Sequence, residues 1–228
     1  MKFKKIKKII ASTLIVISIF VVVPFNKEVN AKTFSNNTNY IVQEIKNERD
    51  IVYISPSTQY ENSYIEVNGV KTTEGKVMQE IGEIVKTKLE SRGIIVYMNN
   101  KQDGVNGHVV KGNNIKGVRC YVALHSNAVG GNNSGKAQGI LVITRNDSES
   151  MRLSKHVYNK LQSIYPYKNK SRGIIINNKY REINSPNAPT LIAEIGFHDN
   201  KQDAEFLLNN KEKIANAVAD AICDFLVK

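Results

Sequence analysis

Short apolar runs alternate with amphipathic segments along most of this chain, from residue 50 to its end. The runs over 51–54 and 118–124 are largely apolar on consecutive residues and rich in β-branched side chains, which is typical of buried strands. Between such runs, residues 73–92 and 150–164 place apolar side chains at helical spacing. This alternation predicts a single α/β domain, with a largely parallel twisted sheet of about six strands and helices on both faces.

The first 31 residues have the composition of an export signal. Five lysines within 1–8 precede an uncharged apolar run over 9–23, and a small residue follows at the expected cleavage position. We expect a signal peptide over 1–31, a polar spacer over 32–49 and the folded domain over 50–228. Because the apolar run approaches membrane-spanning length, an uncleaved anchor is the alternative. Export predicts a secreted protein associated with the cell wall.

The chain is basic, with a formal net charge of +11. Residues 1–31 hold six Lys and one Glu, a net +5, so +6 remains for the rest of the chain. This mild charge suits a polyanionic surface such as a Gram-positive wall. The lysines are scattered without a basic-aromatic motif, so we expect no nucleic-acid partner. The two cysteines, Cys120 and Cys223, are too few for a disulfide scaffold or a four-thiolate zinc site.

Titratable side chains occur where the predicted strands end. His125 follows the strand over 118–124, Glu194 lies near the end of a strand over 190–195, and Glu74 opens the first helix. Sites in α/β sheets lie at the carboxyl ends of strands, so we expect these three side chains to line one cleft. Histidine and carboxylate ligands with a further carboxylate as base are the requirements of hydrolytic zinc chemistry.

Two motifs around these residues resemble a known family. The run over 121–128, Tyr-Val-Ala-Leu-His-Ser-Asn-Ala, is similar to the Ser-Ile-His-x-Asn-Ala strand of zinc-dependent N-acetylmuramoyl-L-alanine amidases of the type-3 amidase family. The segment over 191–203, which contains Glu-Ile-Gly-Phe, is similar to a second motif of that family. The Ser-Pro-Ser-Thr-Gln opening over 55–59 and the Thr-Glu-Gly run over 73–75 resemble a clostridial and phage-lysin branch.

The resemblance implies a peptidoglycan hydrolase that cleaves the amide bond between N-acetylmuramic acid and the L-alanine of the stem peptide. It implies that Glu74 and His125 bind Zn²⁺ and that Glu194 is the general base acting on metal-activated water. Asn127 is a candidate for binding the substrate or for supporting the ligands. The implied partner is peptidoglycan. We expect a monomer, with membrane contact only through an uncleaved N-terminal segment.

The sequence departs from the family at the third zinc ligand. The wider family has a histidine after the first strand, in an Asp-x-Gly-His-Gly pattern, where this chain has Ser-Pro-Ser-Thr-Gln over 55–59. Gln59 is the nearest candidate ligand, and Glu61 is the alternative carboxylate. Because neutral amides bind zinc weakly, the alternative function is a catalytically weak or inactive amidase-like module that binds peptidoglycan. A metallopeptidase acting on stem peptides is a third hypothesis.

The other three histidines give weaker signals. His108 lies in a Gly/Asn-rich stretch that predicts a loop, His156 lies on an exposed helix face, and His198 follows the Gly-Phe turn. We expect each of them to be a surface residue or a support for the site rather than a metal ligand.

Overall fold

A computed structural model describes residues 49–227 of the chain, and these residues form six β-strands and six α-helices. The strands are β1 (Ile51–Pro56), β2 (Ile95–Met98), β3 (Val118–Asn127), β4 (Leu141–Thr144), β5 (Gly173–Ile176) and β6 (Thr190–Phe197). The helices are α1 (Glu74–Glu90), α2 (Val105–Asn114), α3 (Ser148–Ile164), α4 (Arg181–Asn184), α5 (Lys201–Asn209) and α6 (Lys211–Leu226). The predicted signal peptide over 1–31 and all but the last residue of the predicted spacer lie outside the described residues, so both stay predictions.

The six strands form one sheet in the order β2-β1-β3-β6-β4-β5. All neighbouring strands are parallel except β4 and β6, which are antiparallel. The predicted single α/β domain with a largely parallel sheet of six strands is therefore confirmed. The two central strands, β3 and β6, run side by side, and their register places His125 opposite Glu194.

Helices cover both faces of the sheet, as the sequence predicts. The larger apolar core lies under α1, α3, α5 and α6, and the smaller one lies under α2 and α4. Side chains of a strand alternate between the faces. In β3, Val122 and Leu124 enter the larger core, whereas Tyr121 and Ala123 enter the smaller one. The same alternation places His125 on the side of α2 and α4.

Polar side chains define where the helices begin. The hydroxyl of Thr73 accepts a hydrogen bond from the backbone N–H of Lys76 at the start of α1. A cap of this kind satisfies one of the backbone N–H groups that the first helical turn leaves without a partner. It fixes Glu74 as the first residue of α1, where the positive end of the helix dipole favours a carboxylate.

The prediction of a loop around His108 is wrong. The Gly/Asn-rich stretch around His108 is not a loop but helix α2, and the His108 ring is buried.

Cys120 and Cys223 are both free thiols, and Cys120 is fully buried. Among residues 49–227, no helix has the length and apolar character needed to cross a membrane.

Candidate active site

A cleft of about 570 Å³ opens where β1, β3 and β6 end. Four of the side chains that line it come from the predicted site: Gln59, Glu61, His125 and Glu194. The opposite wall comes from the segment around α4 and includes Glu182. The other residues that line the cleft are Ser57, Thr58, Gly104, Val105, His108, Lys179, Tyr180, Arg181 and Ile192.

His125 lies between two carboxylates at the end of β3. Its Nδ1 is 2.9 Å from Oε1 of Glu74, and its Nε2 is 3.0 Å from Oε2 of Glu182. Burial alone would lower the pKa of the imidazole, but the hydrogen bonds to Glu182 and Glu74 outweigh it and raise that pKa well above its ordinary value. The predicted proximity of Glu74 and His125 is therefore present in the fold.

Glu74 is almost completely buried at the start of α1. Its Oε2 accepts a hydrogen bond of 2.8 Å from the side-chain amide of Asn62, and its Oε1 faces His125. Burial would raise the pKa of this carboxyl, but hydrogen bonds from His125, Asn62 and Ser57 lower it below its ordinary value. Glu74 is therefore held as a carboxylate, the form in which it binds a cation.

The two candidates for the third ligand lie at different distances from this pair. The side-chain amide of Gln59 is 3.4 Å from Nδ1 of His125, and the Asn62 amide donates a 2.9 Å hydrogen bond to Gln59 Oε1. Glu61 lines the cleft but is exposed, and in the described part of the chain it makes no hydrogen bond or ion pair with His125 or Glu74. The geometry therefore brings Gln59, and not Glu61, to the histidine.

Glu194 is adjacent to His125 in the sheet, and its carboxyl is inside the cleft. Its Oε2 is buried and has no hydrogen-bond partner within residues 49–227. Burial raises the pKa of this carboxyl to about 7, and the charges of Glu74 and Glu182 act in the same direction against that of His125. A carboxyl with a pKa near neutrality is suited to take up and release a proton.

Asn127 has a local role in the structure. Its Oδ1 accepts a 2.8 Å hydrogen bond from the backbone N–H of Ala128, and its backbone carbonyl accepts one from His198. Asn127 is not among the residues that line the cleft. Its predicted contact with substrate stays a prediction.

The sequence analysis did not identify Glu182 as a residue of the site, and it did not predict that His108 is buried. Glu182 lies on α4, a helix of four residues, which is too short to show a periodic pattern. His108 lies on α2, and its Nε2 is 2.7 Å from the backbone carbonyl of Asp103. Its Nδ1 is 3.8 Å from Oε1 of Glu182. The only sequence signal for either was the cost of burying a charged or polar group, and burial was not evident from the pattern.

The side chains present allow a test of the implied zinc site. Within residues 49–227, no group of three or more His, Cys, Asp or Glu side chains is arranged to hold a metal ion. The donors that converge are Nδ1 of His125, the carboxylate of Glu74 and the amide of Gln59, whose oxygen and nitrogen can exchange places by rotation. A divalent cation at this place would meet two strong donors and one neutral donor.

Comparison with known proteins identifies the family. The sequence model of a family described as N-acetylmuramoyl-L-alanine amidase, the type-3 amidases, matches residues 58–224. The chain is a member of the N-acetylmuramoyl-L-alanine amidase family. It is therefore an amide hydrolase whose substrate is peptidoglycan, and the expected enzyme class is confirmed. No curated protein sequence matches the chain significantly.

Solved amidase structures share the fold of this family member. AmiC2 of Nostoc punctiforme matches with a TM-score of 0.68 and 21% identity, over 78% of this chain and 98% of that one. An N-acetylmuramoyl-L-alanine amidase from Clostridium difficile 630 matches with a TM-score of 0.66 and 21% identity, over 78% and 97%. The CwlD amidase of Clostridioides difficile, solved with the GerS lipoprotein, matches with 0.65 and 18%, over 78% and 98%. The described domain therefore has the architecture of an amidase catalytic domain.

Proposed function

We propose that this amidase is metal-dependent and exported, and that it cleaves the bond between N-acetylmuramic acid and L-alanine with Glu194 as general base. His125 and Glu74 are the two strong ligands, and Gln59 completes the site as a neutral donor. Glu74 and Gln59 both converge on His125, and His125 lines one cleft with Gln59 and Glu194, which supports the assignment. The alternative, a binding module without activity, is not favoured because the chain belongs to a family of enzymes.

The cleft supplies the groups that amide hydrolysis needs. A divalent cation held by His125, Glu74 and Gln59 would supply a Lewis acid for the amide carbonyl and would lower the pKa of attacking water to about 7. Glu194 then takes the proton of that water on its carboxylate and returns it to the nitrogen of the leaving L-alanine. One group can perform both steps because burial of its carboxyl raises the pKa to about 7.

The observation that carries the proposal is the state of the Glu194 carboxyl. Its Oε2 is buried in the cleft without a hydrogen-bond partner in the described residues, next to His125 in the sheet. A buried carboxyl without partners lowers stability by several kcal/mol when charged. Such a group is expected where a proton must be exchanged rather than where a fold must be stabilised.

Glu194→Gln is the variant that tests this role. We expect about 10²- to 10⁴-fold slower release of L-alanine amino termini from purified peptidoglycan, with zinc binding retained. The matched control is Glu212→Gln. Glu212 is an exposed carboxylate that pairs with Lys88 on the far side of the domain, and we expect its loss to leave turnover unchanged. We expect removal of metal with EDTA to abolish wild-type activity and added zinc to restore it.

Two results would contradict the proposal. Retained turnover in Glu194→Gln would exclude this residue as the base, and full activity after metal removal would exclude a metal-dependent reaction. New amino termini other than L-alanine would indicate the metallopeptidase, which shares the chemistry but cleaves a different bond. All of these results are read from the amino termini released when purified peptidoglycan is digested.

A further inference from the structure

Glu182 is the second carboxylate in contact with His125, and the proposed reaction gives it no role. Glu182 is 97% buried, and Oε2 of this residue is 3.0 Å from Nε2 of His125. Its other oxygen, Oε1, accepts a 2.6 Å hydrogen bond from the hydroxyl of Ser55 and lies 2.9 Å from that of Tyr121. Both oxygens therefore have partners, and the carboxylate is fixed on the face of the sheet beneath the cleft.

Glu182 cannot take the place of the missing third ligand. Glu74 and Gln59 both face Nδ1 of His125, whereas Glu182 faces Nε2. The two nitrogens of an imidazole point away from each other in the plane of the ring. One cation bound beside Glu74 therefore lies on the opposite side of the ring from Glu182.

A carboxylate on the far nitrogen of a metal-binding histidine has a recognised physical effect. It accepts the remaining N–H, which selects the tautomer, holds the ring in one orientation and makes the other nitrogen a more basic ligand. Here the ring is also the donor on which the site depends most, because Gln59 supplies only a neutral amide. A stronger imidazole ligand compensates for a weaker third donor.

We propose that Glu182 is a positioning residue, which accepts the Nε2–H of His125 and directs Nδ1 towards the cation between Glu74 and Gln59. The proposal rests on the metal role of His125 given above. Glu182 is itself held by hydrogen bonds from Ser55, at the end of β1, and from Tyr121, in β3. Their hydroxyls hold Oε1, so that Oε2 stays on the histidine. Three elements, β1, β3 and α4, thus meet at one carboxylate.

The pair Glu182→Gln and Glu182→Ala tests this role. Gln keeps a neutral acceptor of the same shape, whereas Ala removes the acceptor. We expect zinc affinity, measured by competition with a chromophoric chelator, to fall about 10- to 100-fold in Glu182→Ala and by a smaller factor in Glu182→Gln. At saturating zinc, kcat falls in the same order while KM for peptidoglycan fragments is unchanged. Glu212→Gln is the control and matches wild type.

Unfolding of the metal-free proteins separates positioning from stability. Glu182→Gln preserves the packing, and its NH2 group can donate to the hydroxyl of Ser55 while its oxygen accepts the Nε2–H of His125. We therefore expect its metal-free unfolding midpoint to stay close to that of wild type. If zinc affinity is equal in all variants and only the midpoint falls, Glu182 is structural and the inference is overturned while the proposed function stands. If the wild-type protein itself binds no zinc, the proposed metal role fails, and the inference fails with it.

Discussion

At the scale of single residues, the site differs from the family pattern by one donor. The family resemblance implies a histidine as the third ligand, and the side chain nearest to His125 Nδ1 in this chain, apart from Glu74, is the amide of Gln59. An amide oxygen carries less charge than an imidazole or carboxylate donor and binds zinc more weakly. Metal affinity is therefore the property in which this amidase should differ from relatives with the histidine.

Gln59→His is expected to strengthen the metal site. The imidazole replaces a neutral amide about 3.4 Å from His125, so zinc affinity should rise by roughly tenfold or more. Gln59→Ala should weaken it, because Gln59 lies beside His125. Glu61→Ala should leave it unchanged, because within residues 49–227 Glu61 forms no hydrogen bond or ion pair with His125 or Glu74. Chelator competition measures all three. Weaker binding in Glu61→Ala than in Gln59→Ala would make Glu61 the ligand.

Asp203, in the second motif, has a structural explanation. It is fully buried and its Oδ2 accepts 2.8 Å hydrogen bonds from the backbone N–H groups of Gly139 and Phe197, while Oδ1 accepts the hydroxyl of Tyr165. These contacts join the end of β6 to the segment before β4. Buried donors that lose their acceptor lower stability by about 1–3 kcal/mol each.

Asp203→Ala is expected to lower the free energy of unfolding by about 3–5 kcal/mol, because it leaves three buried donors without an acceptor. Urea titration measures the change. Tyr165→Phe, which removes one donor of the three, should have a smaller effect of about 1 kcal/mol. The control is Asp220→Ala, which breaks an exposed ion pair with Arg92 and should change stability by less than about 1 kcal/mol. A loss in Asp203→Ala no larger than the control would contradict this account.

At the scale of elements, the position of α1 against β1 sets the geometry of the site. Glu74 opens α1, and Gln59 follows β1, so the distance between these two elements determines how the two side chains meet. The helix approaches the strand closely at Gly82, where a Cβ atom would lie 2.5 Å from Cγ of Pro56. The proline ring is stiff, so any side chain at this position must displace the helix.

Gly82→Ala is therefore expected to destabilise the domain, by about 1–3 kcal/mol, although alanine favours helices. The matched control is Gly107→Ala in α2, where the nearest atom would be 3.4 Å away and the gain in helix propensity should leave stability equal or up to about 1 kcal/mol higher. Urea titration of both variants gives the comparison. Stabilisation in Gly82→Ala would mean that α1 moves at little energetic cost.

The sequence predicts those elements whose pattern repeats over enough residues. The strands β1, β3 and β6 have apolar runs, the long helices α1 and α3 have helical spacing, and all five form close to the predicted places. Helix α2 escaped because glycine and asparagine disfavour helices and only His108, Val109 and Gly112 are buried. The proximity of His125 and Glu194 was predictable because both lie at strand ends and sheet topology places them together. The contact of His125 with Glu182 was not predictable, because Glu182 lies on the four-residue helix α4.

At the scale of the whole molecule, the chain has a positive net charge, and one wall of the cleft also presents exposed cations. The chain carries a net charge of +11, and the wall of the cleft formed by α4 and the segment before it presents Lys179 and Arg181. Both side chains are exposed, and neither forms an ion pair with any carboxylate of residues 49–227. Peptidoglycan with acidic stem peptides is a polyanion, so we expect this wall to attract it.

Removal of these two charges should act on binding rather than on chemistry. In the double variant of Lys179→Gln and Arg181→Gln, we expect KM for peptidoglycan fragments to rise several-fold with kcat nearly unchanged, because rim charges act mainly on encounter. Lys168→Gln with Lys170→Gln removes the same charge from exposed positions outside the cleft and should leave KM unchanged. At about 1 M salt the Debye length falls to roughly 3 Å, so the difference between the two double variants should disappear. A KM that rises equally in both would mean that the protein responds to net charge alone, and the cleft wall would have no particular part in recognising the substrate.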